Sequence, residues 1–153
     1  MALYVVQHGK SLPKADDPEK GLSEEGIRET ERIANVARGY GVTVSVIVHS
    51  GKKRARQTAE RMGAALCSDQ EIQTRSGMNP LDDVAAFVRD LPLDQNIMLV
   101  GHLPFLEKLI GLLVCSDATR TVFKLQNSGI VCLDEASDID NAVIRWALMP
   151  NVG

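Results

Sequence analysis

The sequence predicts a three-layer α/β/α sandwich around a mostly parallel, mixed sheet, and three observations carry that expectation. Three short apolar runs rich in β-branched residues are each followed by an amphipathic helical pattern. Such strand–helix alternation implies parallel pairing with helices on both faces of the sheet. Two further strand-like runs near the end, joined by an acidic loop, predict an antiparallel hairpin at the sheet edge. The 153 residues show no internal repeat, low-complexity tract or linker, so a single domain over 1–153 is expected.

The first apolar run, Leu3-Tyr4-Val5-Val6, leads directly into Gln7-His8-Gly9. Residues 12–21 are polar and contain two prolines, which predicts a loop free to move over the end of that strand. Ser23 is an N-cap with Glu24 and Glu25 in the first helical turn, where the macrodipole favours negative charge. Ile27, Ile33, Ala34 and Ala37 share one face of this helix, and Gly39 and Gly41 end it. Residues 42–48 read as the second strand, ending at His49-Ser50-Gly51. Ala55, Ala59, Met62 and Leu66 then mark a helix over 53–66. After the Asn79-Pro80 turn, Leu81, Val84, Ala85 and Val88 predict a short helix that stops before Pro92. Residues 96–100 form the third strand, followed at once by Gly101-His102-Leu103-Pro104. Pro104 suits the first turn of a helix whose Leu106, Leu109, Ile110 and Leu113 face inward. The hairpin strands are expected over 129–133 and 142–149, with the acidic loop 134–141 between them.

Composition narrows the function. A net charge of −3 provides no global basic field for nucleic acid or an anionic membrane. Aromatic residues make up only 4% of the chain, too few for a base-stacking surface. No leader-like segment is evident, and the longest apolar stretch, 103–115, is too short to span a bilayer. Cys67, Cys115 and Cys132 are odd in number and widely spaced, which predicts buried free thiols in a cytoplasmic protein.

In open α/β sheets the chemical groups lie at the carboxyl ends of strands. Three such ends stand out: Gln7-His8-Gly9, the stretch from Ser50 to Thr58, and Gly101-His102. If the strands are parallel, all three open on one edge. Lys52, Lys53, Arg54 and Arg56 concentrate positive charge at a helix start, where it opposes the macrodipole. A solvated basic face is the ordinary account of such a run. At a helix N-terminus an anion reverses the cost, because backbone N–H groups already favour a phosphate. The pattern of a nucleotide P-loop is absent. Neutral imidazole is a good nucleophile near pH 7, and a guanidinium grips phosphoryl oxygens bidentately, so two histidines and Arg54 suit phosphoryl transfer. His49 is read as a strand-end residue without a role.

These pieces, in order, resemble the histidine phosphatase superfamily, the phosphoglycerate-mutase-like fold. The resemblance rests on His8-Gly9 after the first strand, Leu22-Ser23 with Gly26, Ser50 with Arg54-Ala55 and Gln57-Thr58-Ala59, and Val100-Gly101-His102-Leu103-Pro104. It spans nearly the whole chain, and the compact length is similar to the small SixA-like branch of phosphohistidine phosphatases. The resemblance implies a two-step phosphatase without metal or cofactor. It implies that His8 becomes phosphorylated, that Arg54 and His102 grip the phosphate, and that Gln7 and Gly9 line the substrate site. The implied partner is a phosphohistidine-bearing phosphotransfer protein, or else a small phosphorylated substrate. Phosphohistidine fits a site with no obvious general acid, because imidazole leaves more easily than an alkoxide. Asp82 and Asp83 are the nearest acidic candidates, with helix N-terminal charge as their plainer role.

One position departs from the family. The first signature there is Arg-His-Gly, and here Gln7 replaces the arginine, losing a charge and keeping an amide. Two consequences follow as expectations. Lys10, Lys52 or Lys53 reaches into the pocket to restore the charge, or else the chain is a degenerate member that binds phosphate or phosphoproteins with little turnover.

Overall fold

The computed structural model describes residues 1–134 and 142–152. Its strands and helices follow in the order β1 (Leu3–Gln7), α1 (Glu24–Gly39), β2 (Val46–His49), α2 (Lys53–Leu66), β3 (Ile72–Thr74), α3 (Val84–Arg89), β4 (Ile97–Gly101), α4 (Phe105–Cys115), β5 (Ile130–Leu133) and β6 (Ile144–Leu148). One six-stranded sheet has the order β3-β2-β4-β1-β5-β6. The first four of these pair in parallel. β5 and β6 pair antiparallel, β5 on β1 and β6 on β5, which places the hairpin at the edge as the sequence predicts. The acidic loop lies, beyond Asp134, outside the described residues.

Strand alternation builds a core on each face. Leu3, Val5, Ile97 and Leu99 point into a layer closed by Phe87 and Val88 of α3 and Phe105, Leu106 and Leu109 of α4. Tyr4, Val6, Met98 and Val100 point the other way, onto Ile33 and Ala37 of α1 and Ala55, Ala59 and Met62 of α2. The central strands are buried on both faces, which is why they read as continuous apolar runs rather than alternating ones. Ser23 caps α1 by accepting from the Gly26 backbone N–H at 3.1 Å. The first turn of α1 packs so closely on the chain after His8 that a Cβ at Gly26 would collide with the Lys10 carbonyl.

Several expectations are corrected. β2 begins at Val46, four residues late, because Val44 gives its N–H to Leu66 at the end of α2 and Ser45 to Asn96, outside the ladder. β3 is an additional strand; at three residues, with Ile72 its one apolar member, it carries little periodic signal. α3 starts at Val84 because Asp83 caps it, leaving Leu81 outside the helix and 84% exposed. Pro104 is the N-cap of α4 rather than a residue of its first turn. Cys67 and Cys132 are buried free thiols, but Cys115, at the end of α4, is exposed. The 12–21 loop is closed upon itself. A Ser11–Leu22 bridge and the Leu12 N–H to Gly21 carbonyl bond join its ends, and Asp17 ties it to Lys53 at 2.8 Å. No described helix is long and apolar enough to cross a membrane.

Candidate active site

β4 lies between β1 and β2 in the sheet, so the loops that leave these three parallel strands open side by side on one edge. His8 leaves β1 and gives its backbone N–H to the Gly101 carbonyl at the end of β4, at 3.0 Å. His102 follows one residue later, and the two rings stand 5.0 Å apart between centroids, tilted by 51°. Arg54, in the first turn of α2, directs its Nε–H at His8 Nε2 over 3.3 Å. Ser50, at the end of β2, shares a 2.6 Å hydrogen bond with His102 Nε2. His8, Arg54 and His102 thus meet in space, with Gln7 and Gly9 flanking His8 in the chain.

The His8 imidazole has its orientation set by the backbone. Its Nδ1 lies 2.7 Å from the Gly9 carbonyl oxygen, a contact that only an Nδ1–H satisfies. The Nε2 lone pair therefore faces Arg54. Burial holds the ring neutral, pushing its pKa down to about 4 against the opposing pull of the Gly9 carbonyl, with Arg54 and Lys20 adding to the depression. His102 is only 2% exposed, and burial first, then His8, Arg54 and Lys52, push it down to about 3. His102 Nδ1 and the Gln7 side-chain oxygen are buried without a hydrogen-bond partner. Unsatisfied buried polar atoms are costly, and here two of them sit at the strand ends that carry the histidines.

A supporting set of contacts holds this geometry. The Thr58 hydroxyl accepts the Gly9 N–H at 2.9 Å and donates to the Arg54 carbonyl at 2.8 Å, so one buried side chain joins the His8 turn to the arginine's helix. Asn127 donates its side-chain N–H to the His8 carbonyl at 2.8 Å, and Ser128 gives its backbone N–H to the Gln7 carbonyl at 2.9 Å. Thr58→Val keeps the shape and removes the hydroxyl, leaving the Gly9 N–H orphaned. The variant is expected to lose about 1–3 kcal/mol of stability in urea unfolding, together with catalytic rate.

Other sequence-predicted residues take different places. Asp83 accepts from the Ala85 and Ala86 N–H groups as a helix cap, and Asp82 accepts from the Asn79 N–H, so both serve local structure. His49 is buried, accepts the Gly51 N–H through Nδ1 and lies near Thr74, a structural role. Lys10 is paired with Glu25 at 2.8 Å and Glu29 at 3.2 Å, and Lys53 with Asp17. The sequence pattern gives Asn127 and Lys20 no role and offers Thr58 only as part of the Gln57-Thr58-Ala59 stretch. The available signal for Asn127 is the Asn-Ser-Gly turn before β5: because β5 runs antiparallel, its beginning rather than its end lies at the active edge. Among the described residues no three His, Cys, Asp or Glu side chains converge as a metal ligand set.

A neutral imidazole with a directed lone pair, a guanidinium facing it and a second imidazole beside it offer a nucleophile and donors of the kind that phosphoryl transfer requires. The family profile described as histidine phosphatase superfamily (branch 1) matches residues 3–82. The chain belongs to the histidine phosphatase superfamily. Its similarity to the phosphohistidine phosphatase SixA of Escherichia coli strain K12 is 26% identity over 156 residues, covering 98% of this chain and 94% of that protein. The solved structure of the protein histidine phosphatase SixA complexed with tungstate superposes with a TM-score of 0.81 at 25% identity, over 98% of this chain and 97% of that one. The α-ribazole phosphatase from Shigella flexneri shares the fold, with a TM-score of 0.76 at 17% identity over 100% of this chain and 98% of its own. This member of the superfamily is a phosphatase with a phosphoglycerate-mutase-like α/β fold.

Proposed function

We propose that this histidine phosphatase removes phosphate from a phosphohistidine side chain of a protein, through a phosphorylated His8. The observation that carries the reading is a nucleophile in place without a general acid beside it. Among the described residues no carboxylate bonds to His8, Arg54 or His102, and the acidic candidates offered by the sequence, Asp82 and Asp83, accept backbone N–H groups. An alkoxide leaving group gains most from a positioned acid. A phosphoimidazole protonated at its other ring nitrogen departs as neutral imidazole and needs none. The likeness to SixA, a phosphohistidine phosphatase by name, supports the same substrate class.

His8 Nε2 attacks phosphorus as the bond from phosphorus to the substrate nitrogen breaks, and the substrate imidazole leaves with the proton it already carries. The phosphorylated His8 is then an imidazolium whose Nδ1–H remains on the Gly9 carbonyl. Arg54 and His102 hold the phosphoryl oxygens as charge shifts between the two nitrogens. Water next attacks phosphorus, gives up a proton to solvent, and returns His8 to its neutral Nδ1–H form with release of inorganic phosphate.

The test supplies the purified protein with a phosphohistidine-bearing phosphotransfer domain and, separately, with a phosphoserine peptide. Phosphate release from the first, at a kcat/KM about a hundredfold or more above the second, is the expected outcome. Equal or better turnover of phosphoserine would overturn the assignment in favour of phosphomonoesters.

A further inference from the structure

The charges of the proposed site do not balance a phosphoryl ligand. A transferring phosphoryl group carries up to two negative charges, spread over its oxygens. Burial keeps both His8 and His102 neutral, Gln7 carries no charge, and Arg54 alone among these residues is a cation. One positive charge is missing. Of the lysines near the catalytic edge, Lys10 is held by Glu25 and Glu29, and Lys53 by Asp17 and Glu19. Lys52 and Lys20 make no ion pair among the described residues, although the chain is acidic overall.

Lys52 lies beside the reacting groups, and Lys20 belongs to the loop that Asp17 ties to α2. Lys52 is the N-cap of α2, two residues before Arg54, and its backbone N–H reaches the Ser50 hydroxyl at 3.4 Å. That same hydroxyl is the one bonded to His102. Lys20 occupies the closed 12–21 loop in a left-handed conformation with φ of 53°, and its neighbour Gly21 is packed against the Lys53 and Gln57 side chains of α2. The charge of Lys52 is felt at His102, and that of Lys20 at His8. A lysine at an N-cap opposes the helix dipole, a cost that an anion bound at the helix start offsets.

We propose that Lys52, assisted by Lys20, supplies the second positive charge for the phosphoryl group, replacing at a different point of the chain the cation that Gln7 lacks. The inference rests on the proposed phosphatase site but not on the identity of the leaving group. Lys52 is a flexible point charge, so it follows the phosphoryl oxygens between the two steps without fixing their geometry, a task left to Arg54.

The experiment measures tungstate affinity by calorimetry and phosphohistidine hydrolysis for the parent, Lys52→Gln, Lys20→Gln, Lys52→Arg, Lys10→Gln, and Gln7→Arg placed in the Lys52→Gln background. Lys52→Gln is expected to weaken tungstate binding and to lower kcat/KM by about tenfold to a hundredfold. Lys20→Gln has a smaller effect, and Lys52→Arg keeps most of the affinity. Gln7→Arg restores affinity to Lys52→Gln, which a merely structural defect at position 52 would not allow. Lys10→Gln stays within about twofold of the parent, since its charge is already paired at the surface. Lys52→Gln within about twofold of the parent in both measurements overturns the inference. Failure of the substrate assignment looks different. The parent then leaves phosphohistidine intact, and loss of tungstate binding on Lys52→Gln still supports the charge assignment.

Discussion

Replacing His8 with alanine is expected to abolish phosphate release, by about a thousandfold or more, while tungstate still binds. The reason is specific to this nitrogen. His8 has its Nδ1–H committed to the Gly9 carbonyl, and the remaining Nε2 is the lone pair that faces Arg54. On the proposed route alanine removes the acceptor of the phosphoryl group and leaves the guanidinium and His102 in place. Rapid quenching with labelled substrate provides the direct check: a labelled protein forms and decays in the parent and never forms in His8→Ala. Turnover that survives the substitution would refute the two-step route.

The same residue predicts the pH behaviour. Burial lowers its pKa from 6.5 to about 4, so the free enzyme keeps a neutral nucleophile across the physiological range. kcat/KM should therefore lose no rate through His8 protonation until the pH falls toward about 4. Between pH 6.5 and about 4 the unfolded chain binds a proton at this position that the folded chain refuses, so folding weakens as pH falls through that window. His102 extends the window to about 3. His8→Ala should accordingly lose less stability than the parent between pH 6.5 and 4, as seen by urea unfolding at both values.

Replacing Arg54 with lysine is expected to lower kcat by about a hundredfold to a thousandfold, with a smaller change in ground-state oxyanion affinity. Charge is conserved in this variant, and what is lost is the planar fork. Arg54 presents its Nε–H toward His8 Nε2 at 3.3 Å from the first turn of α2. From that direction the guanidinium spans two phosphoryl oxygens as the bond to His8 forms, where an ammonium reaches them as a point charge. Stopped-flow separation of phosphoryl transfer from hydrolysis decides the matter. Equal slowing of both steps is expected, since the phosphoryl group occupies the same place in each. A variant with the parent's kcat would show that Arg54 supplies charge alone.

The layered fold was legible in the residue pattern, as was the convergence of His8, Arg54 and His102 on one sheet edge. His8, Arg54 and His102 each follow a strand, and strands separated by helices run parallel, so local periodicity was enough to bring their loops to one side. The same local information placed α2 at its observed bounds, and it failed at β3, whose three residues carry almost no pattern. The remaining features depend on partners far apart in the chain. Asn127 lies 119 residues from the His8 carbonyl that it holds. Only the reversal of β5 carries it to the active edge. Lys10 and Lys53 stand as close in sequence to the catalytic loops as Lys52 does, yet Glu25 and Asp17 engage them. The tautomer and neutrality of His8 likewise depend on a carbonyl geometry and a degree of burial that no residue spacing encodes. Periodicity is a property of neighbouring residues, whereas ionisation and ion pairing are set by what folding brings within a few ångströms.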